Sequence, residues 1–141
     1  MESKSSEPKS ISFEFFPPNS AEALEKLVSE AHELSRFEPE FFSVTFGAGG
    51  GTRKKTLQTA NSLYQKLKIP IAPHISCISL NLDLAKKTIS QYIEAGHKRL
   101  VVLRGDMPSG VPVNSDFKYA RDLVKFISDE FKEIDISSLT A

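Results

Sequence analysis

Tryptophan is absent, cysteine occurs once, and neither sign of charge exceeds the other. Each shortage narrows the field. A lone Cys77 cannot make an internal disulfide, which excludes a stapled secreted scaffold. Lys plus Arg and Asp plus Glu both number 18, for a net charge of zero. That leaves no basic stripe for nucleic acid and no acidic tail. No apolar run approaches the ~20 residues of a membrane-spanning helix. Residues 1–10, MESKSSEPKS, hold no apolar signal-peptide core. The expected compartment is the cytoplasm, with neither nucleic acid nor membrane as a partner. Three well-separated histidines and one cysteine offer no metal-ligand cluster.

What is present suits one globular domain: 141 residues, 40% hydrophobic and 26% charged. Residues 1–10 have the composition of a disordered tail, and residues 11–141 are expected to fold. Strands are expected over 11–16, 41–46, 71–78 and 99–103, and residues 134–141 open a fifth. Between them run apolar stripes at helical spacing. They are Leu24, Leu27, Val28, Ala31 and Leu34; then Leu57, Ala60, Leu63, Tyr64 and Leu67; then Leu82, Ala85, Ile89 and Ile93; and last Phe117, Ala120, Val124, Ile127 and Phe131. Asn19 with Glu22 makes a capping-box-like start, Asn81 a second cap, and Gly96 a helix stop.

Strand starts near residues 11, 41, 71, 99 and 134 are spaced by about 30, the size of a βαβ unit. The fold class is therefore α/β with a parallel sheet and right-handed crossovers. An open doubly wound sheet and part of a (β/α)₈ barrel both fit. A complete barrel needs about 250 residues, and this chain offers little more than half of that: four βα units and the start of strand five.

In either architecture chemistry belongs at the C-terminal strand ends. Strand one ends in SFEFFPP, where alternation puts Ser12, Glu14 and Phe16 on one face. A carboxylate within an aromatic strand is costly to bury charged, so desolvation should raise its pKa and suit it to general acid work. The competing reading pairs Glu14 with an interior cation. Strand two ends in SVTFGAGGG. There Thr45 offers a hydroxyl, and Gly47, Gly49, Gly50 and Gly51 permit close backbone approach or serve a plain turn. Thr52 stands where a dinucleotide motif would have its last glycine. Strand three carries APHISCI, with His74 as a structural hydrogen-bond partner or a site residue, and Cys77 as a small core residue. His32 and His97 read as surface residues. Strand four ends in LVVLRGDMPSG, placing Arg104, Gly105 and Asp106 at its tip, as ligand contacts or as a local ion pair. The RGD tripeptide, without a secretory signal, carries no adhesion reading. Glu14, Thr45, His74, Arg104 and Asp106 thus come from successive strands and gather near one rim, as a barrel site is built.

The segments SFEFFPP, FFSVTFGAGGGTRKKT, APHISCI, LVVLRGDMPSG and KYARDLV, in this order and spacing, resemble methylenetetrahydrofolate reductases over residues 11 to about 137. The resemblance implies an FAD-bound (β/α)₈ barrel. It would reduce 5,10-methylenetetrahydrofolate to 5-methyltetrahydrofolate with NADH or NADPH, and would be a homo-oligomer at full length. Glu14 matches the family's general acid, and Asp106 the acid beside flavin and folate. Thr45, Phe46, Ala48, His74, Arg104, Gly105, Tyr119 and Ala120 match flavin-lining positions. Thr45 and Asp106 are also the implied substrate contacts.

Phe46 departs from a commoner Tyr, Ser76 from Thr, and Lys54 from an acid; none removes a group assigned to chemistry. The family's catalytic domain is about twice as long. An isolated half-barrel is expected to expose an edge strand and an apolar patch, to be inactive, and to aggregate or dimerise. A non-catalytic half-barrel that only self-associates or weakly binds flavin is the alternative. Another flavin or phosphate barrel enzyme is a third reading, opposed by the SFEFFPP and LRGD pair.

Overall fold

A computed structural model describes residues 10–46, 52–77, 80–105 and 115–138. Strands and helices alternate: β1 (Ser12–Phe15), α1 (Ala21–Leu34), β2 (Phe41–Val44), α2 (Thr52–Leu67), β3 (Ile71–Ser76), α3 (Leu82–Glu94), β4 (Arg99–Leu103), α4 (Ala120–Glu130) and β5 (Asp135–Ser138). A 3₁₀ turn, Ser35–Phe37, follows α1. All five strands form one parallel sheet in the order β1-β2-β3-β4-β5. A doubly wound sheet reverses its strand order at a switch point. This one never does, so that alternative is not found. Right-handed crossovers that always step the same way must lay every helix on one face.

Packing agrees. Phe13, Phe15, Phe42, Val44 and Ile71 meet Leu27, Val28 and Ala31 of α1 and Ala60 and Leu63 of α2 in one cluster. Ile75, Leu100, Val102 and Ile136 meet Ala85, Ile89 and Tyr92 of α3 and Leu123 and Ile127 of α4 in the other. Alternation then assigns the opposite face. It carries Ser12, Glu14, Phe41, Ser43, Ala72, His74, Ser76, Arg99, Val101, Leu103, Asp135 and Ser137. That face is polar near the C-terminal strand ends, while the helix face is almost wholly apolar.

Local signals explain the boundaries. Ser20 caps α1, its hydroxyl accepting from Ala23 N at 3.1 Å. The expected cap, Asn19, instead accepts from Lys55 Nζ at 2.8 Å and ties α1 to α2. Asn81 caps α3 as expected, accepting from Leu84 N at 2.8 Å. Gly96, at φ +96°, ends α3, and an added Cβ would lie 3.1 Å from Tyr64 Cε2. Ser10, placed in the expected tail, bonds the Glu40 carboxylate through its hydroxyl; residues 1–9 lie outside the described ones. At the N-terminal strand ends Arg99 reaches Glu40 at 3.2 Å and Asp135 at 3.7 Å and stacks on Phe41 at 4.8 Å. One guanidinium thus links β4 to β5 and to the residue before β2. The serine hydroxyl and that guanidinium hold the Glu40 carboxyl below its usual range. Cys77 is buried, as expected, and burial pushes its thiol up to about 11.

His97 is not the surface residue that its place after a helix suggests. It is 1% exposed, edge-on to Tyr64 and Tyr92, with Nε2 2.7 Å from Asn61 Oδ1. Burial lowers its pKa from 6.5 to about 4. The unfolded chain therefore takes up this proton first as pH falls. The contribution is complete above about 6.5 and is lost towards pH 4, at a cost of roughly 2–3 kcal/mol. Urea midpoints measured from pH 7 to pH 4 should fall accordingly, and His97→Gln should flatten the slope. An equal slope in that variant would contradict the assignment.

Candidate active site

The site residues hang from the C-terminal ends of the strands. Glu14 lies on β1 in register with Ser43 on β2, and Ser43 with Ala72 on β3. His74, one pleat further along β3, is in register with Val101. Glu14 Oε1 and His74 Nε2 approach to 3.3 Å, with the two side chains 51% and 5% exposed. The burial expected of Glu14 is absent for a simple reason: its aromatic neighbours Phe13 and Phe15 point to the other face and pack on Phe42. Phe16, which shares the face of Glu14, is 74% exposed. His74 carries the burial instead. Desolvation lowers its pKa, outweighing the upward pull of Glu14, so the ring is neutral near pH 7.

Beyond β2 the ladder continues for one bond, Thr45 N donating to Phe15 O at 2.9 Å. Thr56, fully buried on α2, donates its hydroxyl to the Thr45 carbonyl at 2.9 Å. Phe46 lies under Arg53, 5.5 Å from guanidinium to ring centre. Ala48 and the glycines at 47 and 49–51 fall outside the described residues.

At the end of β4, Ser76 Oγ donates to the Arg104 carbonyl at 3.2 Å. Gly105 has φ +85°, a left-handed conformation that a side chain would strain. Arg104 projects over Tyr119, 5.5 Å from its ring centre, and its Nε is buried without a hydrogen bond among the described residues. Lys118 and Arg121 also face that ring, at 5.5 and 4.8 Å. Tyr119 precedes α4 and Ala120 begins it; Tyr119 N donates to Asp122 Oδ2 at 3.0 Å. This corner is held by Ser115, whose hydroxyl donates to the Cys77 carbonyl at 2.5 Å and lies 3.1 Å from that of Leu80, and by Asp116, which accepts from Leu82 N at 2.8 Å. Asp106 lies outside the described residues.

The structure thus joins Glu14 to His74, and Arg104 to Tyr119, while Thr45 and Phe46 are tied to α2. Sequence reasoning missed Ser43, 5% exposed and in register beside Glu14. Its signal was available, since it lies two residues before Thr45 on the same strand. A groove between α1 and α2, lined by Leu24, Val28, His32 and Lys66, lies on the helix side, away from these residues.

An all-parallel α/β sheet with its polar face gathered at the C-terminal strand ends defines a protein with a strand-end site. The chain belongs to the methylenetetrahydrofolate reductase family, whose model matches residues 1–139. It is 39% identical over 129 residues to the 5,10-methylenetetrahydrofolate reductase of Buchnera aphidicola subsp. Schizaphis graminum, covering 89% of this chain and 42% of that one. To the Escherichia coli enzyme of that name it is 35% identical, covering 90% and 42%. To "Methylenetetrahydrofolate reductase (NADH) 1" of Arabidopsis thaliana it is 30% identical, covering 86% and 21%. The chain spans about two fifths of the length of the bacterial relatives. Among solved structures, "PhdJ bound to substrate intermediate" aligns with a TM-score of 0.53 over 92% of this chain and 43% of that one. At 15% identity that likeness is one of fold alone.

Thr56→Val keeps the shape and deletes the bond to the Thr45 carbonyl. The expected cost is about 1–2 kcal/mol, read as a lower urea midpoint. An unchanged midpoint would show that this bond does not hold the strand end.

Proposed function

We propose that this chain carries half of a flavin-dependent reductase site on the first units of a (β/α)₈ barrel. The reaction is reduction of 5,10-methylenetetrahydrofolate to 5-methyltetrahydrofolate, with NADH or NADPH as reductant, in the cytoplasm. Family membership over residues 1–139 supports the reaction, and the relative whose name specifies NADH supports that nicotinamide. The observation that carries the assignment to residues is the Glu14–His74 contact at the strand ends.

The residues fit FAD on one test made on this chain. Arg104 is a cation whose buried Nε has no partner among the described residues, beside an aromatic ring that is 38% exposed. An anionic, aromatic-ringed cofactor would satisfy both. Thr45, Phe46, Ala48, His74, Arg104, Gly105, Tyr119 and Ala120 would line it, with Asp106 as the acid between flavin and folate. When bound, FAD supplies the hydride carrier. Glu14 would protonate a nitrogen of the folate's imidazolidine ring, so that the ring opens to a cation able to accept hydride. Its half-exposed side chain can then recover a proton from water.

A second reading rests on the sheet, in which β1 and β5 are the edge strands among the described residues. With the polar face open beside Glu14, water is not excluded from the proposed reaction. On this reading the 141 residues self-associate and do not turn over alone. No oxidation of NADH with a quinone acceptor is then expected, and measured turnover would refute that reading.

Titration of FAD into the chain, followed by flavin fluorescence, tests the first reading. Saturable binding is expected, weakened about tenfold or more by Arg104→Ala. Absent binding, or equal affinity in that variant, would contradict the assignment.

A further inference from the structure

Glu14 and His74 stand on strands that do not pair, with β2 between them. Two interstrand spacings make roughly 10 Å, so both side chains must reach inward. Ser43, small and in register with Glu14, lies on the same face of that intervening strand. The meeting is specific: 3.3 Å from Oε1 to Nε2. The imidazole is fixed by burial at 4% exposure, whereas the carboxylate is half open to solvent. Nε2 makes no aligned hydrogen bond among the described residues, so the contact is close but not yet a bond.

We infer that His74 is a positioning residue for Glu14, receiving one carboxyl oxygen and thereby fixing where the other faces. The inference rests on the reading of Glu14 as the acid of the site. In the proton step the O–H bond of Glu14 breaks and an N–H bond forms on the substrate, leaving a carboxylate. His74 keeps its own proton on Nε2 and donates a hydrogen bond to that carboxylate. Water returns the lost proton to Glu14 through its exposed side. Because burial keeps the ring neutral, His74 orients the acid without competing for its proton. Among the described residues, Glu14 is the charged group that acts on the ring.

Nuclear magnetic resonance of the 141-residue chain with ring-labelled histidine tests this. His74 should be the Nε2-protonated tautomer. In Glu14→Gln its titration midpoint should fall by about half a pH unit or more, because the attraction of the carboxylate is gone. His74→Leu should move the carboxyl carbon signal of Glu14, and His74→Gln, whose amide reaches the place of Nε2, should restore it. Tautomer and titration of His74 unchanged in Glu14→Gln would overturn the inference. So would an unmoved Glu14 signal in folded His74→Leu. Should the Leu variant not fold, Glu14→Gln, at a half-exposed position, decides alone. None of these signals depends on flavin. Failure to bind FAD would undo the proposed function and leave the pair standing, whereas an unresponsive His74 in a flavin-binding chain would undo the pair alone.

Discussion

Among the described residues each strand hydrogen-bonds only to the strands before and after it in the chain, and the rest of the structure depends on that. Repeated right-handed crossovers in one direction commit all four helices to one side. That side takes the phenylalanines, leucines and isoleucines, whose burial is the main favourable term in folding. The other side is released from that duty. Polar side chains there need only avoid being stranded without partners. Ser43, Thr45, His74 and Ser76 can therefore collect along neighbouring strand ends without weakening the apolar core.

Two residues show how this division sets chemistry. Glu14 sits among phenylalanines in sequence, but those rings pack on the helix side, and the carboxylate stays half open to water. His74 lies one strand further in and is buried, so desolvation, not its acidic neighbour, governs its charge. The result is a half-exposed acid in close contact with a buried, neutral imidazole.

Much of the fold was legible in the sequence because its signals are local and repeat. The 30-residue strand spacing, the helical stripes, Asn81 and Gly96 all act within a few residues of themselves. The choice between barrel order and doubly wound order was not legible, because it depends on which strands pair. His97 was misjudged for the same reason: Asn61, Tyr64 and Tyr92, which enclose it, come from two different helices. Arg99 joins Glu40 and Asp135 across 59 and 36 positions of sequence, beyond any local pattern. The site was partly legible. Alternation put Glu14 and His74 towards one rim, but their contact crosses an intervening strand, which no local pattern shows.

The central claim is that the polar strand ends, rather than the helix face, take the cofactor. Amide chemical-shift mapping on addition of FAD tests it most directly. Shifts at Thr45, His74, Arg104, Gly105 and Tyr119, with the α1–α2 groove silent, are the expected result. Shifts confined to Leu24, Val28, His32 and Lys66, or none anywhere, would contradict it.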